Sequence, residues 1–473
     1  MSQEWKSSID RLVKDQKGVT GAIMAFGMTA AVGMTGLVTQ ETILYQTKSA
    51  LQSSADLAAL AGAQNINVGA GGTAISTATS YSAVTGDSNA ISGQTVTMAT
   101  GYPQLKCLTS ISVPCTGPDS ANAIVVKEQA TVPLIFGKLL GMSSTTLTVT
   151  STAAAGGGST GSTGTTAKPV DVMLIIDATS SMNDSDTECS VSGATRETCA
   201  EAGARALLQA LVPPTSGSTN TGVEVGLMVF PGLSTATESA YTPYNCSTGP
   251  KPTNVAYSAP SPAPVYQIIP LSSDYKTSPT ATSLNTSSNL VRAVQGGPSG
   301  CQQGIDALGG YGTYYAGVIT AAQTALTTTG RSGSQKVVII LSDGGANAKS
   351  TNVPSGMASN QCHEAITAAE AVTAAGTWVF SAAYGSSTAT GSQSSSSPST
   401  CTTDSPIISA CATMQGMAST PAMFFSDSSG GSTVTCNSTI SANNTTDLVA
   451  LFTSLGNSLV TYTHPRLLPN GTT

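Results

Sequence analysis

Charge is scarce in this sequence. Asp, Glu, Lys and Arg make up 9% of the 473 residues, against roughly a quarter in an ordinary soluble domain. Histidine is scarcer still: His363 and His464 are the only two, too few for a His-rich zinc site. The balance of 18 basic against 25 acidic residues, a net charge of −7, leaves no basic face for tracking phosphates, which excludes nucleic acid as a partner. The ten cysteines contain no C-x-x-C pair. In so weakly charged a chain they read as structural disulfides formed outside the cytosol, not as metal ligands. What the chain does have is apolar material: 40% of its residues are hydrophobic, and its length allows about two or three domains.

The amino terminus supplies a route out of the cytosol. Gly18 to Gln40 is a run of 23 uncharged residues, and a membrane-spanning helix needs roughly 20. Lys6, Arg11, Lys14 and Lys17 precede the run, whereas Lys48 alone lies close after it. The positive-inside rule then predicts a single-pass inner-membrane protein, with residues 1–17 cytoplasmic and everything beyond about residue 41 outside. A helical pattern continues to about Ala63, with an apolar stripe of Ile43, Leu44, Leu51, Leu57 and Leu60. Strand-like runs at Ile124–Val132 and Thr145–Thr152 complete a small α+β module over residues 41–150. Residues 151–168 are a Gly/Ser/Thr linker. Its Gly157-Gly158-Ser159-Thr160-Gly161 matches the hydrolase elbow G-x-S-x-G but lacks the strand before and helix after that the motif requires.

From residue 169 to about 465, apolar strand-like runs alternate with helical ones. Val170–Asp177, Val223–Phe230, Gln335–Asp343 and Trp378–Tyr384 are the strands, and Arg196–Val212 and the segments after Thr313, His363 and Thr446 are among the helices. The rhythm predicts an α/β fold: a doubly wound, mainly parallel sheet with helices on both faces. Two insertions interrupt it, near 231–308 and 385–404. Short separations favour Cys107–Cys115 and Cys189–Cys199 as disulfides, and Cys246–Cys301 would tie the ends of the larger insertion.

Ligands of such sheets bind beyond the carboxyl ends of the strands. There the chain places Asp177-Ala178-Thr179-Ser180-Ser181, then Gly312-Thr313 heading a helix, then Ser342-Asp343-Gly344. These are oxygen donors, suited to a hard cation such as Mg²⁺. The three pieces, in this order, resemble the metal-ion-dependent adhesion site (MIDAS) of von Willebrand factor type A domains. The resemblance implies that Asp177, Thr179, Ser181, Thr313 and Asp343 hold Mg²⁺ or Mn²⁺, with one position open to a carboxylate from a protein partner. Thr179 replaces the family's first Ser, keeping the hydroxyl and adding a methyl.

A second resemblance covers the rest. KGVTGAIMAF, LQSSADLAALAGA and TVPLIFGKLLGMSSTTLTVTSTA look like TadE/TadG-like proteins of tight-adherence (Flp) pilus assembly. In the TadG arrangement an anchor, this module and a C-terminal von Willebrand A domain follow one another. The resemblance implies a non-enzymatic, membrane-anchored pilus-assembly or adhesion protein whose partners are other pilus or secretion-system components. A free-standing metal-dependent surface adhesin and a scaffold subunit with a silent metal site remain alternatives. A hydrolase has less behind it, because no nucleophile is paired with a base.

Three further features read more plainly as structure. Asp184, Asp186 and Glu188 form an acidic patch that lacks the glycine and terminal glutamate of a calcium loop. Cys362-His363 has no second ligand pair at zinc spacing. Trp378 lies in an apolar strand.

Overall fold

The computed structural model describes residues 16–469, apart from 67–72, 116–120, 156–168, 215–221, 234–264, 300–303, 308–311, 349–358, 389–399, 429–435, 463–465 and a few isolated positions. The chain opens with one long helix, α1 (Gln16–Gln64), about 73 Å at 1.5 Å per residue. The expected span at 18–40 lies wholly inside it, but among the described residues no helix is long and apolar enough to cross a membrane. The expectation of a transmembrane helix is therefore unsupported. The reason is compositional: Gly, Ala and Thr supply 13 of those 23 residues, and each carries little apolar surface.

The second half of α1 lies on a small antiparallel sheet. The buried face is built from Leu51, Ala55, Ala58, Ala59 and Ala63, so one leucine of the expected stripe and the alanines between make the contact. Leu57 is left 49% exposed. Small side chains let the helix approach closely. At Gly62 an added Cβ would come within 2.8 Å of both Ala78 and Ile124, which fixes the fit against α2 (Thr73–Ser80) and the sheet. That sheet comprises β1 (Thr95–Met98), β2 (Gln104–Lys106), β3 (Ala123–Pro133) and β4 (Ser144–Ala154). Strands β3 and β4 pair along their whole length, and β1 and β2 both pair with β3.

The second sheet starts at β5 (Val170–Asp177), every residue of which is buried. A strand covered on both faces must be apolar throughout, and Val-Asp-Val-Met-Leu-Ile-Ile-Asp departs from that only at its two aspartates. Around it are α3 (Arg196–Ala210), β6 (Val223–Leu233), β7 (Val265–Ser272), α4 (Tyr315–Thr328), β8 (Gln335–Ser342), α5 (Gln361–Ala374) and β9 (Trp378–Tyr384). A two-strand ribbon, β10 (Thr400–Cys401) and β11 (Ile408–Ser409), precedes α6 (Ala410–Met417), β12 (Phe424–Asp427), β13 (Asn444–Thr445) and α7 (Leu448–Tyr462). The strand order is β13-β12-β9-β8-β5-β6-β7, parallel except for β7. One face packs on residues of α3 and α7, such as Leu207 and Phe452. The other packs on α4, α5 and α6, through Ile319, Ala365 and Met414.

The mixed α/β architecture with a mainly parallel sheet agrees with the sequence reading, but the large insertion does not run unbroken from 231 to 308. Its middle contributes β7, antiparallel to β6 with shifts of register. A last short strand, β14 (Arg466–Leu467), returns to pair with β4 of the first sheet. Among the described residues four disulfides join Cys107–Cys115, Cys189–Cys199, Cys362–Cys401 and Cys411–Cys436. The first two were expected, and Cys246 and Cys301 lie outside the described residues.

Candidate divalent-cation site

From β5 the chain crosses by α3 to β6 on one side, then by α4 to β8 on the other. The carboxyl ends of β5 and β8 therefore flank the point where the winding reverses, the place where such sheets open a crevice. Asp177 ends β5 and Ser342 ends β8, with Asp343 following.

Their side chains join in one network. Asp177 Oδ1 accepts from Thr179 N–H at 2.8 Å and from Thr179 Oγ1 at 2.6 Å. Its Oδ2 lies 2.5 Å from Ser342 Oγ. Ser181 Oγ donates to Asp343 Oδ1 at 2.9 Å. Asp177, Thr179 and Asp343 are buried. Thr313 is buried too, at the loop leading into α4. Its carbonyl accepts from Asn347 N–H at 3.1 Å, which ties it to the loop after Asp343. Its side chain takes no part in the hydrogen bonds that join the other four.

The donor set suits a hard cation in one specific respect. Thr179 and Ser181 each have a single hydroxyl proton, and each directs it at a carboxylate. Their oxygens are also 3.1 Å apart, within hydrogen-bond distance and with either able to donate, so each keeps lone pairs beside two carboxyl groups. A cation would satisfy that arrangement. The carboxylates tell the same story. Burial, reinforced by repulsion from Asp343, pushes Asp177 up to about 7. Burial likewise holds Asp343 above the usual carboxylate range, although Arg196 and Ser181 pull it down. Two buried carboxyls that resist ionising together are short of positive charge.

Part of that charge comes from Arg196, which sequence reasoning did not place here. Its Nη1 donates to Asp343 Oδ2 at 2.6 Å, with the two side chains 15% and 4% exposed. A signal was present. Arg196 is the first residue of α3, behind an N-cap at Thr195 that forms a capping box with Thr198. A cation in the first turn opposes the helix dipole, so an arginine there needs a local carboxylate. Ser342, quoted in the same motif but given no ligand role, donates to Asp177 and lies 2.8 Å from the Tyr315 hydroxyl.

The other features singled out in the sequence are occupied structurally. Asp186 accepts from the Tyr384 hydroxyl. It also lies close to Cys189 and Cys199 in a group with metal-ligand spacing, but those sulfurs are joined to each other and offer no thiolate. Cys362 is bonded to Cys401, and His363 Nδ1 sits 2.8 Å from Asp404 Oδ2. Trp378 is fully buried in β9. Gly157–Gly161 lies outside the described residues.

Comparison with known proteins bears on the first third of the chain. Residues 18–65 match the Flp pilus-assembly TadE/G-like family, and residues 45–153 match the Tad-like Flp pilus-assembly family. The chain carries a Tad-like pilus-assembly region. No curated protein matches it. Among solved structures, the pilus adhesin SpaC from Lactobacillus rhamnosus GG is 13% identical over 73% of this chain, with a TM-score of 0.34. This chain spans 33% of that adhesin's length. The PilB minor pilin from Streptococcus sanguinis is 8% identical, covering 78% of this chain and 79% of its own, with a TM-score of 0.30.

Proposed function

We propose that the chain is a non-catalytic component of a Flp pilus-assembly or adhesion apparatus whose C-terminal sheet is a von Willebrand A-type domain binding a protein partner through a divalent cation. The convergence of Asp177, Thr179, Ser181 and Asp343 at the reversal point of the sheet carries this reading. Mg²⁺ or Mn²⁺ would be held by these four with Thr313, and would supply a Lewis-acidic position for a carboxylate of the partner. The chain's own residues do the rest: the carboxylates neutralise the ion, the hydroxyls turn lone pairs towards it, and the strand ends hold both loops in register. The Tad-like region supports partners among the other pilus components. It also supports a place at the cell envelope, and the charge asymmetry about residues 18–40 would put 1–17 on the cytoplasmic side. A helix so rich in Gly, Ala and Thr would there depend on packing against partner helices, since small residues allow close approach.

One observation favours a second reading, the scaffold subunit with a silent site: Arg196 already supplies Asp343 with a positive charge. The test is calorimetric titration of the full chain with Mg²⁺ and Mn²⁺, followed by EDTA-sensitive binding to purified pilus components. The proposed function expects both in the wild type and neither in Asp177→Ala. Identical titrations of the two proteins would leave the scaffold reading.

A further inference from the structure

We infer that Arg196 is an internal competitor for the divalent cation: its guanidinium is paired with Asp343, and an ion binds at full strength only when that guanidinium swings away. The inference rests on the metal-site reading above and adds a residue that sets the affinity of the site.

Three observations carry it. Both oxygens of Asp343 are engaged from within the chain, Oδ1 by Ser181 at 2.9 Å and Oδ2 by Arg196 at 2.6 Å. Each oxygen keeps a second lone pair, but a metal drawn to Asp343 would sit beside the guanidinium charge already fixed on Oδ2. The charge count points the same way. Asp343 already has Arg196 as its counter-charge, so a divalent ion on the same carboxylate adds positive charge where one is present. The ion and a guanidinium on the same carboxylate would repel in a buried place where such repulsion is poorly screened.

The arginine is also held in place by more than its ion pair. The start of α3 is fastened to the metal loop by Arg196 N–H to the Asp184 carbonyl at 2.9 Å and Asp186 N–H to the Ala194 carbonyl at 2.9 Å. A bridge between Ser185 and Thr195 and the Cys189–Cys199 disulfide close the same loop. The guanidinium carbon lies 5.8 Å from the centre of the Tyr384 ring, a cation–π distance. Its side chain nevertheless retains 15% exposure, so it can rotate outward while the helix stays put. Metal affinity then scales with the fraction of molecules in which Arg196 is withdrawn.

The experiment is isothermal titration of the intact chain with Mn²⁺ and Mg²⁺, in wild type, Arg196→Gln, Arg196→Lys and Asp177→Ala. Arg196→Gln should bind Mn²⁺ roughly tenfold or more tightly than wild type, the gain expected when a dominant closed state is removed. Arg196→Lys keeps the charge but loses the fork, and should fall between them. Unchanged or weaker binding in Arg196→Gln, with Asp177→Ala abolishing binding, would overturn the competitor role and leave the metal site standing. No binding in any of the four proteins would remove both. Should Arg196→Gln fail to fold, a crystal structure of the wild type soaked in Mn²⁺ decides. A broken Arg196–Asp343 pair upholds the inference, and an occupied site with the pair intact overturns it.

Discussion

Asp171 and Asp177 stand near opposite ends of the same buried strand and receive opposite treatment. Asp171 accepts from Arg331 N–H and Nε at 2.7 Å each, from Ser334 Oγ at 2.6 Å and from Lys336 Nζ at 2.9 Å. Burial works to raise its carboxyl, but Ser334, Lys336 and Arg331 together hold it below the usual range. Asp177, with three hydrogen bonds and no cation of its own, is pushed up. One end of β5 is a finished salt bridge, and the other holds a carboxyl that burial and a like charge push up.

That contrast predicts separable effects. Arg331→Met should lower stability by about 1.5–3 kcal/mol, because Asp171 loses a charge-assisted hydrogen bond but keeps Lys336 and Ser334, and should not alter Mn²⁺ titration. Asp177→Asn should do the reverse, keeping the midpoint of thermal unfolding within a few degrees of wild type while removing its Mn²⁺-dependent rise. Differential scanning calorimetry with and without Mn²⁺ checks both.

A pH effect is expected in the first sheet. Glu128 on β3 is fully buried, accepting from Ala83 N–H at 3.1 Å. Burial, with the like charge of Asp87 adding to it, pushes its carboxyl up to about 7 despite hydrogen bonding. The folded state therefore keeps its proton between pH 4.5 and 7 while the unfolded chain loses it, so stability falls as pH rises through that window. The loss should be on the order of 2 kcal/mol. Glu128→Gln should flatten the dependence in urea unfolding followed at pH 5 and pH 8. An unchanged slope would contradict the assignment.

The disulfides give a direct chemical test. Peptide mapping under non-reducing conditions should recover Cys362–Cys401 and Cys411–Cys436 beside the two short loops. Replacing Cys189 and Cys199 by serine should lower stability by about 2–3 kcal/mol for so short a loop. By loosening the seat of Arg196, it should also tighten Mn²⁺ binding.

The parallel sheet was legible because continuous apolar runs such as Val337–Leu341 have little alternative to a doubly covered strand. Strand β7 was not: Val265–Ser272 contains Pro270 within a Ser- and Pro-rich stretch, and only an edge strand tolerates that residue. The buried face of α1 was legible at Leu51 but not at Leu57, which is left 49% exposed, because close approach at Gly62 favours small side chains. Within the site, Asp177, Thr179, Ser181 and Asp343 could be found by spacing. Arg196 reaches Asp343 across 147 residues of sequence, and only its unfavourable place in the first helical turn hinted at a partner.

The return of β14 to β4 has a mechanical consequence. The second sheet leaves the first after Ala154 and comes back at Arg466, which pairs with that same Ala154. Entry and exit of the chain thus share one seam. Tension applied at the carboxyl edge of the second sheet and resisted along α1 would pass to the first sheet along two routes, the covalent chain after Ala154 and the hydrogen-bonded ribbon at 466–468. Peeling the ribbon leaves the covalent route intact, so an overloaded molecule would lengthen in a step and stay attached.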